Sequence, residues 1–263
     1  MKIPLFIRRG AKRISRNIVI RRRLPARFGS RRLVVSPGAW LICRRGLGLP
    51  AFNDLHDCAE NYVHPGDVVW DVGGNIGHFS STCAARAGIT GRVICFGPDP
   101  WSVRLLKRSS QHNHGHAAPI NVLPVAIGDR LSLEWLHVPG RSRAASHLGS
   151  NGAGGGADIT GTVRERHLTS VLTLGWLSQT LPAPKVLKID VVGGERRALR
   201  GGETMLRKNK PVILVEVHGR NADEVTSFLL GFGGLLYQCE KGESGKNPVS
   251  HSTYNTLGLP SPA

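Results

Sequence analysis

The sequence predicts an α/β protein with a doubly wound, mostly parallel sheet, and three observations support this fold class. From residue 67 onwards, short apolar runs such as "VICF" and "VILV" alternate with longer segments of helical character. The apolar runs are nearly continuous, which is typical of parallel strands covered on both faces. A glycine-rich segment, "DVGGNIG", follows the first run, as expected of a turn from a strand into a helix.

The elements follow in a regular order after a first helix over 54–63. Strands are predicted for the apolar runs at 67–73, 91–97, 120–128, 185–193, 211–219 and 235–240. Helices are predicted at 77–87, 101–114, 171–181, 195–209 and 221–233. The segment 131–139 is predicted to leave the parallel sheet as an antiparallel extended segment, and a glycine-rich loop follows at 149–162.

Charge and composition together divide the chain into three parts. The first 53 residues contain 14 Lys or Arg and no Asp or Glu, whereas the other residues contain 21 basic and 18 acidic ones. We therefore expect a basic N-terminal arm (1–32), one α/β domain (33–240) and a polar, disordered tail (241–263). Within the domain, the short apolar runs of residues 33–53 predict a small hairpin.

The basic arm has the pattern of an amphipathic helix over 1–23. Ile3, Ile7, Ile14 and Ile18 fall on one side of that helix, and arginines and lysines fall on the other. Two interpretations stay open: an interfacial helix on an anionic membrane, or a segment that packs on the protein's own body or is a disordered basic tail.

The composition indicates a cytoplasmic protein, peripheral to the inner face of the membrane if the arm binds lipid. There is no run of 18 apolar residues and no secretory signal pattern. The five cysteines are scattered and form no CxxC pair, so we expect free thiols and no metal site. A nucleic-acid partner is disfavoured because the chain lacks aromatic stacking platforms.

The chemistry is expected where the strands end, because ligands of doubly wound sheets bind beyond the carboxyl ends of the strands. The first strand ends in Asp71, Gly73, Gly74, Asn75 and Gly77. This spacing is neither the GxGxxG fingerprint nor a phosphate-binding loop. An acid before the glycines suits a ligand with a cationic amino-acid end, such as S-adenosylmethionine.

Two later strands end in ionisable pairs. "KID" places Lys188 and Asp190 on one face of its strand, and "EVH" does the same for Glu216 and His218, because strand side chains alternate. A structural ion pair is the alternative for Lys188 and Asp190. A histidine next to a glutamate at the ligand edge is a candidate for proton transfer or substrate orientation.

Five segments occur together in one order: "GDVVWDVGGNIGHFS", "GRVICFGPDPW", "NVLPVAIGD", "VLKIDVVGGERRALRG" and "PVILVEVHG". Together they resemble the FkbM-type methyltransferase family, which consists of S-adenosylmethionine-dependent enzymes that methylate hydroxyl oxygens. The similarity covers roughly residues 54–233. It implies a Rossmann-like class I methyltransferase sheet with an N-terminal basic extension.

The resemblance also implies roles for the strand ends. The cofactor is expected at Asp71 to Gly77, with its adenosine end near the second strand and Asp129. The hydroxyl substrate, of a small molecule or a sugar, is expected near Asp190, Glu216 and His218. His218 is our choice of base, with Asp190 or Glu216 as the orienting group or alternative base.

Three positions depart from the family pattern, and each lacks a carboxylate. Gly97 stands where the family has the glutamate that holds the ribose, Gly175 stands in place of an aspartate, and Val192 in place of a glutamate. Asp99 replaces the missing ribose-binding acid if the chain stays extended between its two prolines. Otherwise the alternative is a pseudoenzyme with weakened cofactor binding that acts as a binding protein.

Overall fold

The structure, a computed structural model, describes residues 18–39, 46–111, 115–140, 142–149, 163–217, 219–239 and 247–260. The strands of its main sheet are β3 (Val68–Val72), β4 (Arg92–Phe96), β5 (Ile120–Leu123), β10 (Val186–Ile189), β11 (Val212–Glu216), β12 (Leu235–Gln238), β13 (Asn247–Pro248) and β14 (Asn255–Leu259). They are arranged in the order β13-β12-β14-β11-β10-β3-β4-β5.

Helices cover both faces of this sheet. They are α1 (Asn53–Tyr62), α2 (His78–Ala87), α3 (Pro100–Gln111), α4 (Leu174–Leu177), α5 (Glu195–Arg200), α6 (Glu203–Asn209) and α7 (Ala222–Leu230). Successive residues of β3 pack into different cores, since Val69 contacts the cluster under α1 and α2, and Trp70 contacts the cluster under α4 to α7. The predicted doubly wound α/β fold is confirmed.

The strand order reverses between β3 and β10. From β3 the parallel sheet continues through β4 to β5, and from β10 it continues in the other direction to β11. This reversal leaves a crevice beyond the carboxyl ends of β3 and β10, where ligands of such sheets bind. The glycine-rich turn and Asp190 both lie at this crevice.

A second, mostly antiparallel sheet is built from β6 (Ala126–Ile127), β7 (Ser132–Pro139), β8 (His147–Gly149) and β9 (Val163–Leu172), in the order β6-β9-β7-β8. The predicted third strand therefore breaks into β5 and β6, because Pro124 interrupts it and the two parts join different sheets. The predicted helix over 171–181 is correct only for its short central part, because β9 extends to Leu172.

The N-terminal prediction was wrong for the residues that the structure describes. Ile20–Arg23 is a strand, β1, that pairs with β2 (Arg32–Val35) in an antiparallel hairpin, whereas a helix over 1–23 was predicted. Leu24, Phe28 and Leu33 are buried in one cluster with residues of the main domain, so residues 20–32 belong to the body of the protein. Residues 1–17 lie outside the described residues.

The predicted disordered tail was also wrong for residues 247–260. β14 lies between β11 and β12, antiparallel to both, and Leu257 is fully buried. The polar composition of 241–263 concealed this strand, because its stability comes from hydrogen bonds to two neighbours rather than from its own sequence. The strand also carries Tyr254 to the ligand edge of the sheet.

Candidate cofactor and acceptor site

The turn after β3 is compact, and glycine is required at several of its positions. Gly73 and Gly77 have φ values of 81° and 82°, and Asn75 has a φ of 47°. A Cβ atom on Gly73 would lie 1.8 Å from the Asp190 carbonyl oxygen, and one on Gly77 would lie 2.0 Å from Leu106 Cδ1. The glycines therefore let the turn approach both β10 and α3.

A cavity, here called the glycine-turn cavity, lies beside this turn. The residues that line it come from the turn, the end of β4, α3, the loop between β7 and β8, and the end of β10. They include Gly73, Asn75, Cys95, Gly97, Asp99, Ser102, Arg143, Ala144 and Asp190. The structure thus brings five of the predicted site positions, 73, 75, 97, 99 and 190, to one cavity.

Asp71 lies behind the turn rather than in the cavity lining. Its side chain is fully buried, and its Oδ2 accepts a hydrogen bond of 2.5 Å from Ser80 Oγ. A Cβ atom on Gly74 would lie 3.0 Å from the same Oδ2, so the turn covers the carboxylate. Asp71 is therefore placed to hold the turn and α2 together, it does not line the glycine-turn cavity, and its cofactor-binding role stays a prediction.

Lys188 lies between two carboxylates. Its Nζ donates to Asp190 Oδ2 at 2.9 Å and lies 3.8 Å from Asp71 Oδ1. Burial alone would lower the pKa of Lys188, but the attraction of Asp190 and Asp71 outweighs it and raises this pKa. The lysine is thus charged and fixes the direction of the Asp190 carboxylate, whose side chain is 30% exposed at the cavity.

Asp99 is the N-terminal cap of α3. Its Oδ2 accepts hydrogen bonds from the backbone N–H of Ser102 at 2.9 Å and from Ser102 Oγ at 2.7 Å. Its Oδ1 pairs with Arg143 Nη1 at 2.5 Å, and Arg143 Nη2 binds Glu165 at 2.6 Å. Both carboxylate oxygens of Asp99 are therefore engaged by the protein.

The three positions that lack a carboxylate lie in different surroundings. A Cβ atom on Gly97 would meet nothing within 4 Å, so a side chain there would enter open space in the glycine-turn cavity. Gly175 is crowded, because its Cβ would lie 3.1 Å from the Gly201 carbonyl oxygen. Val192 lines a second cavity, beside Phe96 and Ile127, that shares Gly73 with the first.

Asp129 and Glu216, two of the remaining predicted residues, do not line the glycine-turn cavity. Asp129 is exposed and accepts a hydrogen bond of 3.0 Å from Arg197 Nε, and Arg197 lines the second cavity together with Gly73, so the role of Asp129 stays a prediction. Glu216, at the end of β11, accepts a hydrogen bond from the Tyr254 hydroxyl. Burial and this carboxylate raise the pKa of Tyr254. His218 lies outside the described residues, and its role stays a prediction.

Sequence reasoning missed Arg143 and the capping role of Asp99. The cap had a signal, because an aspartate followed by proline and, three residues on, a serine is a typical helix start. Arg143 had none, since it comes from the segment between β7 and β8, whose backbone is held by hydrogen bonds to Gly38 and Ala39, and it meets Asp99 only in the folded chain.

Two features are absent from the described part of the chain. No group of three or more His, Cys, Asp or Glu side chains with the arrangement of a metal site occurs within it. Its helices are also all too short or too polar to cross a membrane.

The strand order, with a glycine turn and an acid at the point of reversal, defines a class I methyltransferase type of fold. The family model of the methyltransferase FkbM domain matches residues 71–239, and the chain belongs to this family. The resemblance that the five segments indicated is thereby confirmed.

Individual proteins show more distant similarity. Hexuronic acid methyltransferase AglP of Haloferax volcanii is 30% identical over 164 residues, which are 62% of this chain and 61% of that protein. The chain thus spans less than two thirds of this relative. The crystal structure of methyltransferase FkbM from Methylobacillus flagellatus KT has 15% identity and a TM-score of 0.46, over 77% of this chain and 50% of that one.

Proposed function

We propose that this chain is an S-adenosylmethionine-dependent O-methyltransferase that acts on a hydroxyl group of a sugar or another small molecule. One observation supports this proposal above the others. The glycine turn and Asp190 line the same cavity, at the point where the strand order reverses. Family membership supports the reaction class. The name of the Haloferax relative, a hexuronic acid methyltransferase, favours a sugar as the acceptor.

The charges around the cavity suit a cationic cofactor. Lys188 is paired with Asp190, and Arg143 is paired with Asp99 and Glu165, so neither cation faces the cavity without a carboxylate partner. Gly73 and Asn75 contribute the turn, where the backbone approaches the cavity closely. These residues fit the amino-acid end and the sulfonium of S-adenosylmethionine.

S-adenosylmethionine supplies, when bound, a methyl group that is activated by its positive sulfur. The residues of this chain have to hold the acceptor hydroxyl in line and accept its proton. Asp190 faces the cavity in an orientation fixed by Lys188, so it can accept a hydrogen bond from that hydroxyl. His218 stays our predicted base, and Glu216 with Tyr254 forms a further polar group at the same edge.

Calorimetric titration with S-adenosylmethionine tests the proposal. We expect a dissociation constant of about 100 µM or lower, which corresponds to roughly 5.5 kcal/mol of binding free energy. Ala144→Phe should abolish the heat, because Ala144 lines the cavity. Ala145→Phe, a matched change at the next residue, should leave it unchanged because Ala145 does not line that cavity. Absence of heat with the wild-type protein at about 1 mM cofactor contradicts the enzyme proposal.

One observation favours a second candidate, a pseudoenzyme that acts as a binding protein. The position of the ribose-binding acid is Gly97, and the nearby Asp99 is engaged as a helix cap and by Arg143. Cofactor binding would then be weak or absent. The same titration separates the two candidates.

We further propose that residues 1–17, the part of the N-terminal arm that lies outside the described residues, bind an anionic membrane surface. Deleting residues 1–17 should remove sedimentation with vesicles of anionic lipid, because the arginines and lysines of this segment provide the attraction. The deletion must stop there, since Leu24 and Phe28 are part of the core. Vesicles of neutral lipid serve as the control, and sedimentation that survives the deletion excludes this role.

A further inference from the structure

A separate cleft lies on the outer side of α3, and its two walls differ in chemistry. Arg104, Lys107 and Arg108 line it from α3, together with Gln111. Residues three and four apart share a face of a helix, so the three cations form one row. The opposite wall is β9, which contributes His167, Leu168, Thr169 and Ser170. We call this feature the basic cleft.

The described residues leave the cations of the basic cleft without a carboxylate partner. Across the residues that the structure describes, no carboxylate lies within 4.0 Å of the charged nitrogens of Arg104, Lys107 or Arg108. Arg104 instead lies over the Trp101 ring, with 5.9 Å between its Cζ and the ring centroid. The helix dipole accounts for a cation in the last turn, where Arg108 lies, but not for Arg104 near the beginning.

The basic cleft adjoins the glycine-turn cavity. Pro98 and Val103 line both, so the two spaces meet at the start of α3. Arg143 faces the cavity at the same boundary and binds Glu165, which in turn accepts a hydrogen bond of 3.2 Å from His167 in the cleft. The row of cations therefore lies next to the cavity, on the side of α3 that a ligand extending past Pro98 and Val103 would meet.

We propose that the basic cleft binds an oxyanion carried by the methyl acceptor, away from the hydroxyl that is methylated. This inference rests on the proposed function. Guanidinium groups and hydroxyls are donors that match carboxylate and phosphate oxygens, and uncompensated cations in a concave site attract such groups. The acceptor is then an acidic or phosphorylated sugar rather than a neutral one.

Titration with defined sugars and with pyrophosphate tests this inference on the full chain. The probes are a trisaccharide of galacturonic acid, the neutral trisaccharide of galactose, and inorganic pyrophosphate. One variant carries Arg104→Gln, Lys107→Gln and Arg108→Gln. The control variant carries Arg92→Gln, Lys185→Gln and Lys208→Gln, which removes the same charge from exposed positions that do not line the cleft.

We expect an anionic probe to bind the wild-type protein, the cleft variant to bind it at least tenfold more weakly, and the control variant to differ by no more than about twofold. Binding of the trisaccharide identifies a carboxylate ligand, and binding of pyrophosphate alone identifies a phosphate ligand. Equal losses in both variants, or no preference over the neutral sugar, overturn the inference. S-adenosylmethionine binding should be unchanged in the cleft variant, and its absence in the wild-type protein refutes the proposed function independently.

Discussion

Glutamate at position 97 is expected to tighten the binding of S-adenosylmethionine by about 10- to 100-fold. A carboxylate that accepts hydrogen bonds from hydroxyl groups gains roughly 1.5–3 kcal/mol for each bond, and ~1.4 kcal/mol corresponds to a factor of ten in affinity. Gly97 directly follows β4 and lines the glycine-turn cavity, at the position where the family resemblance implies a ribose-binding acid. The expected gain in cofactor affinity is therefore the contribution of one carboxylate that accepts hydrogen bonds from the ribose.

The structure has space for a glutamate side chain at position 97. A Cβ atom at position 97 meets no atom within 4 Å, and the residue lies outside the left-handed region, so the substitution causes neither a clash nor backbone strain. Asp99 cannot easily take the role of the missing acid, because Ser102 and Arg143 engage both of its oxygens. Freeing it would remove the cap of α3.

Calorimetry of the wild-type protein, Gly97→Glu and Gly97→Gln checks this prediction. Gln has nearly the size of Glu but no charge, so it should recover only a small part of the gain. Equal affinity of all three proteins would show that the missing acid does not limit binding and that the ribose is held by other groups. A tightening in Gly97→Glu, starting from weak wild-type binding, would explain how a pseudoenzyme could have arisen.

The sequence predicted the central sheet well, because buried parallel strands leave a strong local signal. β3, β4, β10 and β11 were recognised from continuous apolar runs, and the turn at 73–77 from its glycines. β14 left no such signal. It was assigned to a disordered tail because residues 241–263 are polar, whereas its position depends on hydrogen bonds to β11 and β12.

The candidate site was predictable only where its residues lie at strand ends. Gly73, Asn75 and Asp190 were placed at one edge by topology alone, and the structure brings them to one cavity. The direction of a carboxylate was not predictable in this way. Asp71 is turned behind Gly74, and Asp99 is turned towards Arg143, because each finds its partners in another element.

Acidification is expected to destabilise the protein well above the pH range in which carboxylates titrate. His56 and His78 are 1% and 2% exposed, and their Nε2 atoms lie 3.2 Å apart. Arg27 can only donate, and its Nη2 lies 3.4 Å from His56 Nδ1, so His56 Nε2 carries the hydrogen and donates to His78. This arrangement requires both rings to be neutral.

The sign and range of the effect follow from the two pKa values. Burial and then Arg27 lower the pKa of His56 to about 4, and burial, followed by the neighbouring His56, lowers that of His78 to about 3. In the unfolded chain both titrate near 6.5, so falling pH first adds protons to the unfolded state. Stability is complete above about pH 7, is lost from about pH 6.5 downwards, and falls by about 2 kcal/mol per histidine at pH 5.

Urea unfolding at pH 7.5, 6.5, 5.8 and 5.0 measures this loss. The double variant His56→Gln, His78→Gln should have a flatter profile, whereas His64→Gln, at an exposed position, should keep the wild-type slope. The pKa of His137 is also lowered by burial, so His137→Gln serves to subtract its share. If the free energy of unfolding of the double variant falls with pH as steeply as that of the wild-type protein, the acid sensitivity comes from groups other than His56 and His78. Since His78 begins α2 directly after Gly77, protonation of the folded pair should loosen the glycine turn, and cofactor affinity should fall only as the pH approaches about 4, where His56 of the folded protein titrates.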